Sequence, residues 1–423
     1  MDFKTHILSE YDESKASKLL ASLSLPRTHA LFLNIDKISD EDFIKEFPNI
    51  KKHPIVEHAY LYNKDEYEMG KSIYHDAGAI YISDASSLTV AYMLDANKDD
   101  FILDMCAAPG GKTIQTSIRM KNEGIIISND LSYSRALVLS QNIERMGRKN
   151  IIATCNDLSK LKGYNGMFSK IILDAPCSGS GMFRKDEKML QDWSIEKVKK
   201  QALIQKELIE LAYNFLMPGG TLIYSTCSYS KEENFEVIKD LIKNHSDMHI
   251  IPLDELRDYS LTEANEGITL APSTYFGEGQ YLCKLKKDGK LLPNKYICQK
   301  NVELKDFNNI TLQGNLIKKD NNLYLSPTNL TLKEFSIIRN GLKIGEFNKN
   351  IFIPDHHLSH FLSGIDSIRL NEKDTKCYLN GETIYLSYKS GYHIVSYNGL
   401  NLGFVKSSNE QLKNHYPKGL RHK

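Results

Sequence analysis

The stretch around which the chain is organised is Ile171-Ile-Leu-Asp-Ala-Pro-Cys-Ser-Gly-Ser-Gly-Met-Phe-Arg184. Its apolar run ends at Asp174, and Pro176 lacks the backbone N–H that a continuing strand would need. An apolar run bounded by turn residues is typical of a buried strand. Because open parallel sheets bind ligands just outside the carboxyl ends of their strands, we expect Asp174 and Cys177 to lie at a site.

A second cysteine stands in an equivalent place, in Thr221-Leu-Ile-Tyr-Ser-Thr-Cys-Ser228. This run also passes from apolar to polar residues, so Cys227 is expected at the same edge of the sheet. A thiolate near a loop and a basic side chain becomes nucleophilic, and Arg184 and Lys185 follow Cys177 closely. The remaining cysteines are expected to be small buried hydrophobes: Cys106, Cys155, Cys283, Cys298 and Cys377.

From residue 100 onward, short apolar runs alternate with segments of helical periodicity. The predicted strands cover residues 101–105, 125–128, 151–154, 170–173 and, after a turn at 218–220, 221–224, and the main predicted helices cover 132–147, 195–216 and 232–243. The last helix is expected to begin at a capping box formed by Ser230 and Glu233. Strands that alternate with helices predict an α/β fold with a doubly wound parallel sheet.

The first strand runs into the loop Cys106-Ala-Ala-Pro-Gly-Gly-Lys112, which leads into a helix whose N-terminal N–H groups can bind a ligand. Asp130 ends the next strand, where an acid suits the hydroxyls of a ribose. Asp157 ends the third strand and is placed to accept a hydrogen bond from an adenine amine. Together these positions indicate an adenosine-containing cofactor.

Two interpretations compete for this loop. Gly110-Gly-Lys-Thr113 resembles the end of a P-loop, which would make the chain an NTPase acting on RNA. However, Cys106 occupies the position of the first P-loop glycine, and Pro109 lies inside the loop. A cofactor without a polyphosphate, such as S-adenosylmethionine, fits a tighter loop.

A methyl donor, a thiolate and an acid together suit one reaction. Carbon 5 of a pyrimidine is too poor a nucleophile to attack a methyl group directly. Addition of a thiolate to carbon 6 makes an enamine whose carbon 5 can attack, while Asp174 holds or protonates the ring nitrogen. One cysteine suffices for the addition, and a second can assist release of the product.

Three motifs resemble the signatures of RNA cytosine-carbon-5 methyltransferases: Leu103-Asp-Met-Cys-Ala-Ala-Pro-Gly-Gly-Lys-Thr113, Leu173-Asp-Ala-Pro-Cys-Ser-Gly-Ser-Gly-Met-Phe-Arg-Lys185 and Tyr224-Ser-Thr-Cys-Ser-Tyr229. The resemblance implies that Cys227 is the nucleophile, Cys177 acts in product release and Asp174 is the third catalytic residue. It implies a cofactor site for S-adenosylmethionine made of Cys106, Ala107, Ala108, Pro109, Gly110, Gly111, Lys112, Asp130, Asp157 and Asp174.

Within this family the flanking stretches resemble the bacterial RsmF type: Gly277-Glu-Gly-Gln-Tyr281, Gly341-Leu-Lys-Ile-Gly345 and Leu412-Lys-Asn-His-Tyr-Pro-Lys-Gly-Leu-Arg421. This implies methylation of cytosine in 16S ribosomal RNA of the small subunit. A tRNA target with the same chemistry, or a catalytically silent RNA-binding protein, are the alternatives. Ser180 stands where the family usually has a glutamate, and Ser83 where it usually has a glutamine.

Composition and the pattern of predicted elements divide the chain into four parts, and the resemblance implies a PUA-like fold for the last of them. We expect a small N-terminal RNA-binding or accessory domain (1–75), a Rossmann-like class I methyltransferase domain (76–287), an accessory β-rich domain (288–370) and a PUA-like RNA-binding domain (371–423). In the C-terminal half, Asn340-Gly341, Asn380-Gly381 and Asn398-Gly399 each predict a hairpin. The basic residues Lys406, Lys413, Lys418, Arg421 and Lys423, beside Tyr416, are expected to contact RNA.

Composition limits the remaining possibilities. The chain has 423 residues, 41% of them hydrophobic, and a net charge of +1, so any surface that binds nucleic acid must be local. It has 7 cysteines with no Cys-x-x-Cys pair, and we find neither a leader nor a membrane-spanning run. We therefore expect a protein of the reducing cytoplasm, with no bound metal and no membrane partner. We also expect a monomer.

Overall fold

The computed structural model describes residues 1–304, 310–349 and 351–422, and its first part is a four-stranded antiparallel sheet preceded by two helices. The elements are α1 (Phe3–Glu10), α2 (Glu13–Ser22), β1 (His29–Leu33), α3 (Asp40–Glu46), β2 (Lys51–Lys52), β3 (Ala59–Tyr62), α4 (Ile73–Asp76) and β4 (Ile80–Ser83). The strand order is β2-β3-β1-β4.

The second part is a mostly parallel sheet with helices on both faces. Its elements are α5 (Ala85–Met93), β5 (Phe101–Asp104), α6 (Gly111–Arg119), β6 (Ile125–Asn129), α7 (Tyr133–Arg145), β7 (Ile151–Thr154), β8 (Phe168–Asp174), α8 (Lys188–Gln191), α9 (Ile195–Phe215), β9 (Leu216–Thr226), α10 (Phe235–Asn244), β10 (Met248–Ile251), β11 (Ile268–Leu270) and β12 (Gln280–Lys287).

The parallel strands lie in the order β9-β8-β5-β6-β7, which confirms the predicted doubly wound sheet. Alternate residues of each strand enter different cores: Leu103 packs into one, and its neighbour Ile102 into the other. The chain order of the strands reverses between β5 and β8, and ligands bind in the crevice at such a switch point. Asp104 and Asp174 are the last residues of these two strands.

Two local predictions in this part are wrong. Residues 218–220 do not form a turn before β9, because the strand begins at Leu216 and passes through them as an irregularity opposite β8. The capping box of Ser230 and Glu233 does not form either. Helix α10 begins at Phe235, the Ser230 side chain makes no cap, and the Glu233 carboxylate instead accepts hydrogen bonds from the two cysteine-bearing loops.

The third part is rich in short strands. Its elements are β13 (Asn301–Leu304), β14 (Ile310–Gln313), β15 (Asn315–Lys319), β16 (Asn322–Ser326), β17 (Ile337–Asn340), β18 (Leu342–Asn348), β19 (Ile351–Pro354), α11 (His356–Phe361), β20 (Ile368–Arg369), α12 (Glu372–Asn380), β21 (Ile384–Tyr385), β22 (Gly391–Tyr397), β23 (Leu400–Ser408) and β24 (Gln411–Asn414). They include a sheet of order β15-β16-β18-β19 and one of order β20-β22-β23-β24-β21.

One of the three predicted hairpins forms. Asn398 and Gly399, both with positive φ, connect β22 to β23, and Tyr397 pairs with Leu400. Asn380-Gly381 ends helix α12 instead, with Gly381 in the left-handed conformation that such caps require. Asn340-Gly341 separates two strands that pair with different partners, since β17 joins β7 and β18 joins β16 and β19.

Part of the C-terminal stretch is buried in the core, although its basic composition predicts an exposed segment. Leu412 is fully buried and Tyr416 is 4% exposed, packed edge-on to His356. Tyr416 is therefore a core residue and not an exposed part of the basic stretch. Lys413 and Lys418 are exposed, whereas Lys423 lies outside the described residues.

The four-domain division stays a prediction, and two strands cross its limits. Strand β4 pairs with β1, so the N-terminal sheet extends to Ser83 rather than ending near residue 75. Strand β17, from the predicted accessory domain, pairs antiparallel with β7 at the edge of the central sheet. No helix within residues 1–304, 310–349 and 351–422 is both long and apolar enough to cross a bilayer.

Candidate active site

The two strand-end cysteines meet. Strands β8 and β9 are parallel neighbours in which Asp174 pairs with Ser225, so the loops that follow them run side by side. The Sγ atoms of Cys177 and Cys227 lie 2.9 Å apart. The hydrogen bond to Cys227, together with burial, raises the pKa of the Cys177 thiol well above its ordinary value. Cys177 therefore keeps its proton more firmly than an ordinary cysteine.

The two loops are also joined directly. The backbone N–H of Gly181 donates to the carbonyl oxygen of Cys227 at 2.7 Å, and the N–H of Tyr229 donates to Ser180 Oγ at 2.9 Å. A Cβ atom at residue 181 would lie 2.8 Å from the carbonyl oxygen of Gly279, so only glycine permits this approach. Ser180, a departure from the family pattern, thus has a structural task here.

Asp174 is held in place from three sides. Its Oδ2 atom pairs with Lys112 Nζ at 2.8 Å, and its Oδ1 atom accepts from Ser225 Oγ at 2.7 Å and from Gln280 Nε2 at 3.3 Å. Lys112 Nζ is fixed in turn by Ser87 Oγ at 2.8 Å. The sequence predicted Asp174 and Lys112 but missed the other three residues, although Ser225 and Gln280 both lie within motifs that it singled out.

The loop of residues 106–110 turns sharply between β5 and α6. Gly110 has φ +114°, which favours glycine, and begins helix α6. Helix α7 holds the loop, because Arg135 donates to the Ala108 carbonyl at 2.7 Å and Asn142 to that of Pro109 at 2.9 Å. Ala107 is buried with Ala108, and Cys106 is half-buried, which raises the pKa of its thiol.

Three carboxylates gather beside this loop. Asp104 is 1% exposed; its Oδ2 atom accepts from Thr113 at 2.6 Å, and its Oδ1 atom has no partner among the described residues. Burial, reinforced by Asp174 and Asp130, raises the pKa of Asp104 to about 7. The sequence missed Asp104, although it lies only two residues before the predicted loop.

The two acids predicted to contact an adenosine differ in their surroundings. Asp130 is buried, accepts from the Ser132 N–H at 3.0 Å and pairs with Arg135 at 3.3 Å. Asp157 is exposed and begins a short 3₁₀ helix by accepting from Ser159. In the described part of the chain no hydrogen bond or ion pair links Asp157 to the other acids.

This arrangement disfavours a P-loop. Thr113, which would have to offer its hydroxyl to a metal ion, is fully buried and donates that hydroxyl to Asp104. Lys112, which would have to contact phosphates, is paired with Asp174. Three carboxylates would repel a triphosphate, whereas they suit a ligand that carries positive charge and hydroxyl groups. The Oδ1 atom of Asp104 adds a buried acceptor that has no hydrogen-bond partner among the described residues.

Three family models match the chain in succession. The one described as 16S rRNA methyltransferase RsmB/F matches residues 91–286, which contain all the candidate site residues. The RsmF rRNA methyltransferase first C-terminal domain matches 303–362, and the methyltransferase RsmF PUA domain matches 366–422.

Curated relatives extend this match to the whole chain. Ribosomal RNA small subunit methyltransferase F of Shewanella piezotolerans is 33% identical over 99% of this chain and 95% of its own length. The chain belongs to this family. The family member from Escherichia fergusonii is 31% identical over 99% of this chain and 96% of its own length. The resemblance to the RsmF type is thus confirmed.

Solved structures support the fold of this methyltransferase F family member. A methyltransferase homolog from Pyrococcus horikoshii is 28% identical, with a TM-score of 0.59, over 67% of this chain and 93% of that one. NSun6 from Pyrococcus horikoshii, solved with SFG, is 21% identical, with a TM-score of 0.61, over 68% of this chain and 98% of that one, and shows the fold alone. The predicted Rossmann-like class I methyltransferase fold with a C-terminal PUA domain is confirmed.

Proposed function

We propose that the chain transfers a methyl group from S-adenosylmethionine to carbon 5 of cytosine in RNA, through a covalent bond between a cysteine and the base. The observation that carries the proposal is the contact between Cys177 and Cys227, whose Sγ atoms lie 2.9 Å apart. Cys177 follows the strand that ends at Asp174, whose carboxylate is held by Lys112. A methyl transfer to a nucleophilic atom would need no thiol. One thiol that adds to a pyrimidine ring and a second thiol that assists elimination fit this chemistry.

The first half of the reaction is the work of Cys227 and Asp174. The Cys227 thiolate adds to carbon 6 of the cytosine, and Asp174 carries the proton that ring nitrogen 3 takes up. Ser225, Gln280 and Lys112 hold the Asp174 carboxylate so that it need not reorganise when charge develops on the ring. S-adenosylmethionine supplies the methyl group that carbon 5 accepts.

The second half is the work of Cys177. Its thiol keeps its proton at neutral pH and lies against the sulfur that must leave. Cys177 donates that proton to the departing Cys227 sulfur as the bond to carbon 6 breaks. The Cys177 thiolate takes up the proton that carbon 5 loses, and ring nitrogen 3 returns its proton to Asp174, which leaves 5-methylcytosine and both cysteines as thiols. Cys227 then loses its proton to solvent before the next turnover.

The proposed cofactor site consists of residues 106–112 with Asp104, Asp130, Asp157 and Asp174. Asp130 would accept from the ribose hydroxyls, and Asp157 from the adenine amine. Asp104 is buried beside this loop with one carboxylate oxygen that has no partner among the described residues, and its negative charge would favour the positively charged part of the cofactor. The excess of carboxylates in the crevice and the membership of a methyltransferase family support this assignment.

The proposed target is 16S ribosomal RNA of the small subunit, because the relatives that match the full chain are small subunit methyltransferases. A tRNA target would use the same site and the same chemistry. The proposal includes a monomeric enzyme that acts in the cytoplasm, where ribosomal RNA is processed, and that needs no metal.

Nucleoside analysis by mass spectrometry tests the proposal. The purified protein is incubated with S-adenosylmethionine in three parallel reactions, which contain naked 16S RNA, small subunits or bulk tRNA. All three RNA samples come from a strain that lacks the gene. We expect 5-methylcytosine in a ribosomal sample and none with Cys227→Ala. Methylation at another atom, or full activity of Cys227→Ala, would overturn the covalent chemistry, and methylation of tRNA alone would overturn the target.

A further inference from the structure

Glu233 lies between the two cysteine-bearing loops. Its Oε1 atom accepts from the Ser178 N–H at 2.7 Å, and its Oε2 atom accepts from the hydroxyls of Ser178 and Ser228, each at 2.5 Å. Ser178 is the residue after Cys177, and Ser228 is the residue after Cys227. One carboxylate therefore binds the immediate neighbours of both thiols.

Asn234, the residue after Glu233, also holds the Cys227 loop. Asn234 accepts from Thr226 Oγ1 at 2.6 Å and donates to the Ser228 carbonyl at 2.8 Å. Thr226 and Ser228 flank Cys227, so the two side chains of residues 233 and 234 hold both neighbours of the thiol. The Cys177 loop has its matching anchor in Gln205, which donates to the Pro176 carbonyl at 2.8 Å and to Glu233 at 3.1 Å.

Burial of the Glu233 carboxylate is energetically unfavourable unless hydrogen bonds compensate it. Glu233 is fully buried, and none of the ion pairs found in the described residues includes it. A buried carboxylate without a counter-charge loses several kcal/mol of hydration unless hydrogen bonds replace it. Four donors do so, and three of them come from the two serines that follow the thiols. The hydrogen bonds that stabilise Glu233 are thus the same ones that connect the loops.

We propose that Glu233 is a positioning residue, which holds the loops of Cys177 and Cys227 in register so that the two thiols stay in contact. Its effect on methyl transfer rests on the proposed function, but its effect on the distance between the thiols does not. Glu233 itself touches neither sulfur in any described contact and takes no part in the bond changes.

Two kinds of variant remove this connection. In Glu233→Gln the side chain keeps its shape, but one carboxylate oxygen becomes an NH2 group. This hydrogen-bond donor then lies opposite the donors that the carboxylate oxygen accepted from. In Ser178→Ala with Ser228→Ala the carboxylate remains and loses both hydroxyl partners. Glu236→Gln is the matched control, because Glu236 is exposed and lies three residues away at the start of α10.

Contact between the thiols can be measured with phenylarsine oxide. The reagent condenses with two neighbouring thiols, forms two arsenic–sulfur bonds and releases one water molecule, with no oxidation of sulfur. Resistance of the bound arsenical to displacement by 2-mercaptoethanol then reports how well the two sulfurs are held together. Cys177→Ala, with only one thiol of the pair, gives the baseline.

We expect wild type and Glu236→Gln to retain the arsenical, and Glu233→Gln and the double serine variant to release it at roughly tenfold lower competitor concentration, since small displacements of paired groups have large effects. Their kcat for methyl transfer should fall by about tenfold or more, with KM for RNA unchanged. Retention equal to wild type in both variants would overturn the inference. Weakened retention with an unchanged kcat would overturn the effect of Glu233 on methyl transfer.

The outcomes separate the two proposals. If the variants release the arsenical while even wild type forms no 5-methylcytosine, the proposed function fails and the positioning of the thiols stands. If wild type forms 5-methylcytosine and the variants hold the arsenical normally, Glu233 has no positioning role. Circular dichroism identifies a variant that does not fold, and the double serine variant decides the question if Glu233→Gln is such a case.

Discussion

The Sγ atoms of Cys177 and Cys227 lie 2.9 Å apart although 50 positions separate the two residues in the sequence. Each thiol follows one of two parallel neighbours in the central sheet, and Asp174 on one strand pairs with Ser225 on the other. Two thiols in contact cannot both be ionised easily, because two thiolates would repel each other. We therefore expect the two cysteines to act in different steps of the reaction.

Replacement of each cysteine should give a different result. Cys227→Ala should abolish methylation while RNA and cofactor still bind, because no adduct forms. Cys177→Ala should allow attack and methyl transfer but stall elimination, so that the enzyme stays covalently joined to its RNA. A denaturing gel would show this complex as a slowly migrating band.

The double variant is the control for this gel, since the band requires the nucleophile and should vanish when both cysteines are replaced. If Cys177 had only a packing role, Cys177→Ala would show no adduct and a small loss of stability, about 1 kcal/mol. A band with Cys227→Ala and none with Cys177→Ala would reverse the two assignments.

Removal of the acid at the end of β6 should weaken the cofactor complex. Asp130→Ala should lower the affinity for S-adenosylmethionine on the order of tenfold or more, since a hydrogen bond to a charged group contributes about 1.5–3 kcal/mol. We expect the same direction for Asp157→Ala. Isothermal titration calorimetry measures both, with the exposed Asp258→Ala as a control; unchanged affinity in both variants would contradict the cofactor site.

The binding of S-adenosylmethionine should depend on pH through Asp104. Burial raises the pKa of this carboxyl to about 7, so a large share of it is protonated at pH 6 and little at pH 8. A positively charged ligand favours the carboxylate, so affinity should rise with pH, by up to about tenfold per unit below the pKa. Titrations at pH 6 and pH 8 test this, and a slope that persists unchanged in Asp104→Asn would assign it to another group.

Stability should fall in mild acid because of buried histidines on α11. His356 is 7% exposed, neither of its ring nitrogens has a partner among the described residues, and burial lowers its pKa to about 4. Nearby Lys37 and Arg339 oppose its protonation, while Asp355 favours it. The unfolded chain takes up this proton near pH 6.5, so stability present above pH 6.5 is lost as the pH falls towards 4.

Between pH 7 and pH 5 the contribution of His356 to this loss is about 2 kcal/mol. His356→Phe should reduce the difference between the unfolding free energies at these two pH values by that amount, as measured by urea denaturation. His393→Phe, at a half-buried histidine on β22, is the control and should leave the difference as it is. An equal pH dependence in wild type and His356→Phe would show that this side chain does not carry it.

The PUA domain should contribute affinity for RNA through its exposed lysines. Deletion of the C-terminal stretch would be uninformative, because Leu412 and Tyr416 are part of the core. Lys413→Gln with Lys418→Gln keeps the fold and should weaken RNA binding, with the slope of log affinity against log salt falling by roughly 0.7 for each lost phosphate contact. Lys239→Gln with Lys243→Gln, on α10, is the control, and an identical slope in the two double variants would remove the proposed contacts.

The central sheet could be predicted because its strands are buried on both faces and therefore read as nearly continuous apolar runs. Predicted strand 151–154 is observed as β7 with the same limits. The C-terminal region was harder to predict, because an Asn-Gly pair indicates a left-handed backbone conformation but not the element in which that conformation occurs. That conformation suits the hairpin at Gly399 and the helix end at Gly381 equally well.

The site was predictable where its residues end strands, as Asp174, Cys177 and Cys227 do. Glu233 was missed because its spacing from Ser230 matches a capping box, a pattern that considers only neighbours on one helix. Its actual partners include Ser178, which lies 55 positions away. A contact of that kind depends on how the strands are ordered in the sheet, and short-range sequence patterns do not contain that order.

The pairing of β17 with β7 has a consequence for any shortened form of the protein. Ile337 and Arg339 cover the outer edge of β7, whose backbone groups would otherwise be unpaired. An exposed edge strand is a template on which another chain can add a strand. A protein that ends after β12 would retain every candidate site residue and yet present this bare edge to other molecules. The C-terminal region thus protects the catalytic sheet against aggregation, and loss of solubility in such a fragment would precede any loss of chemistry.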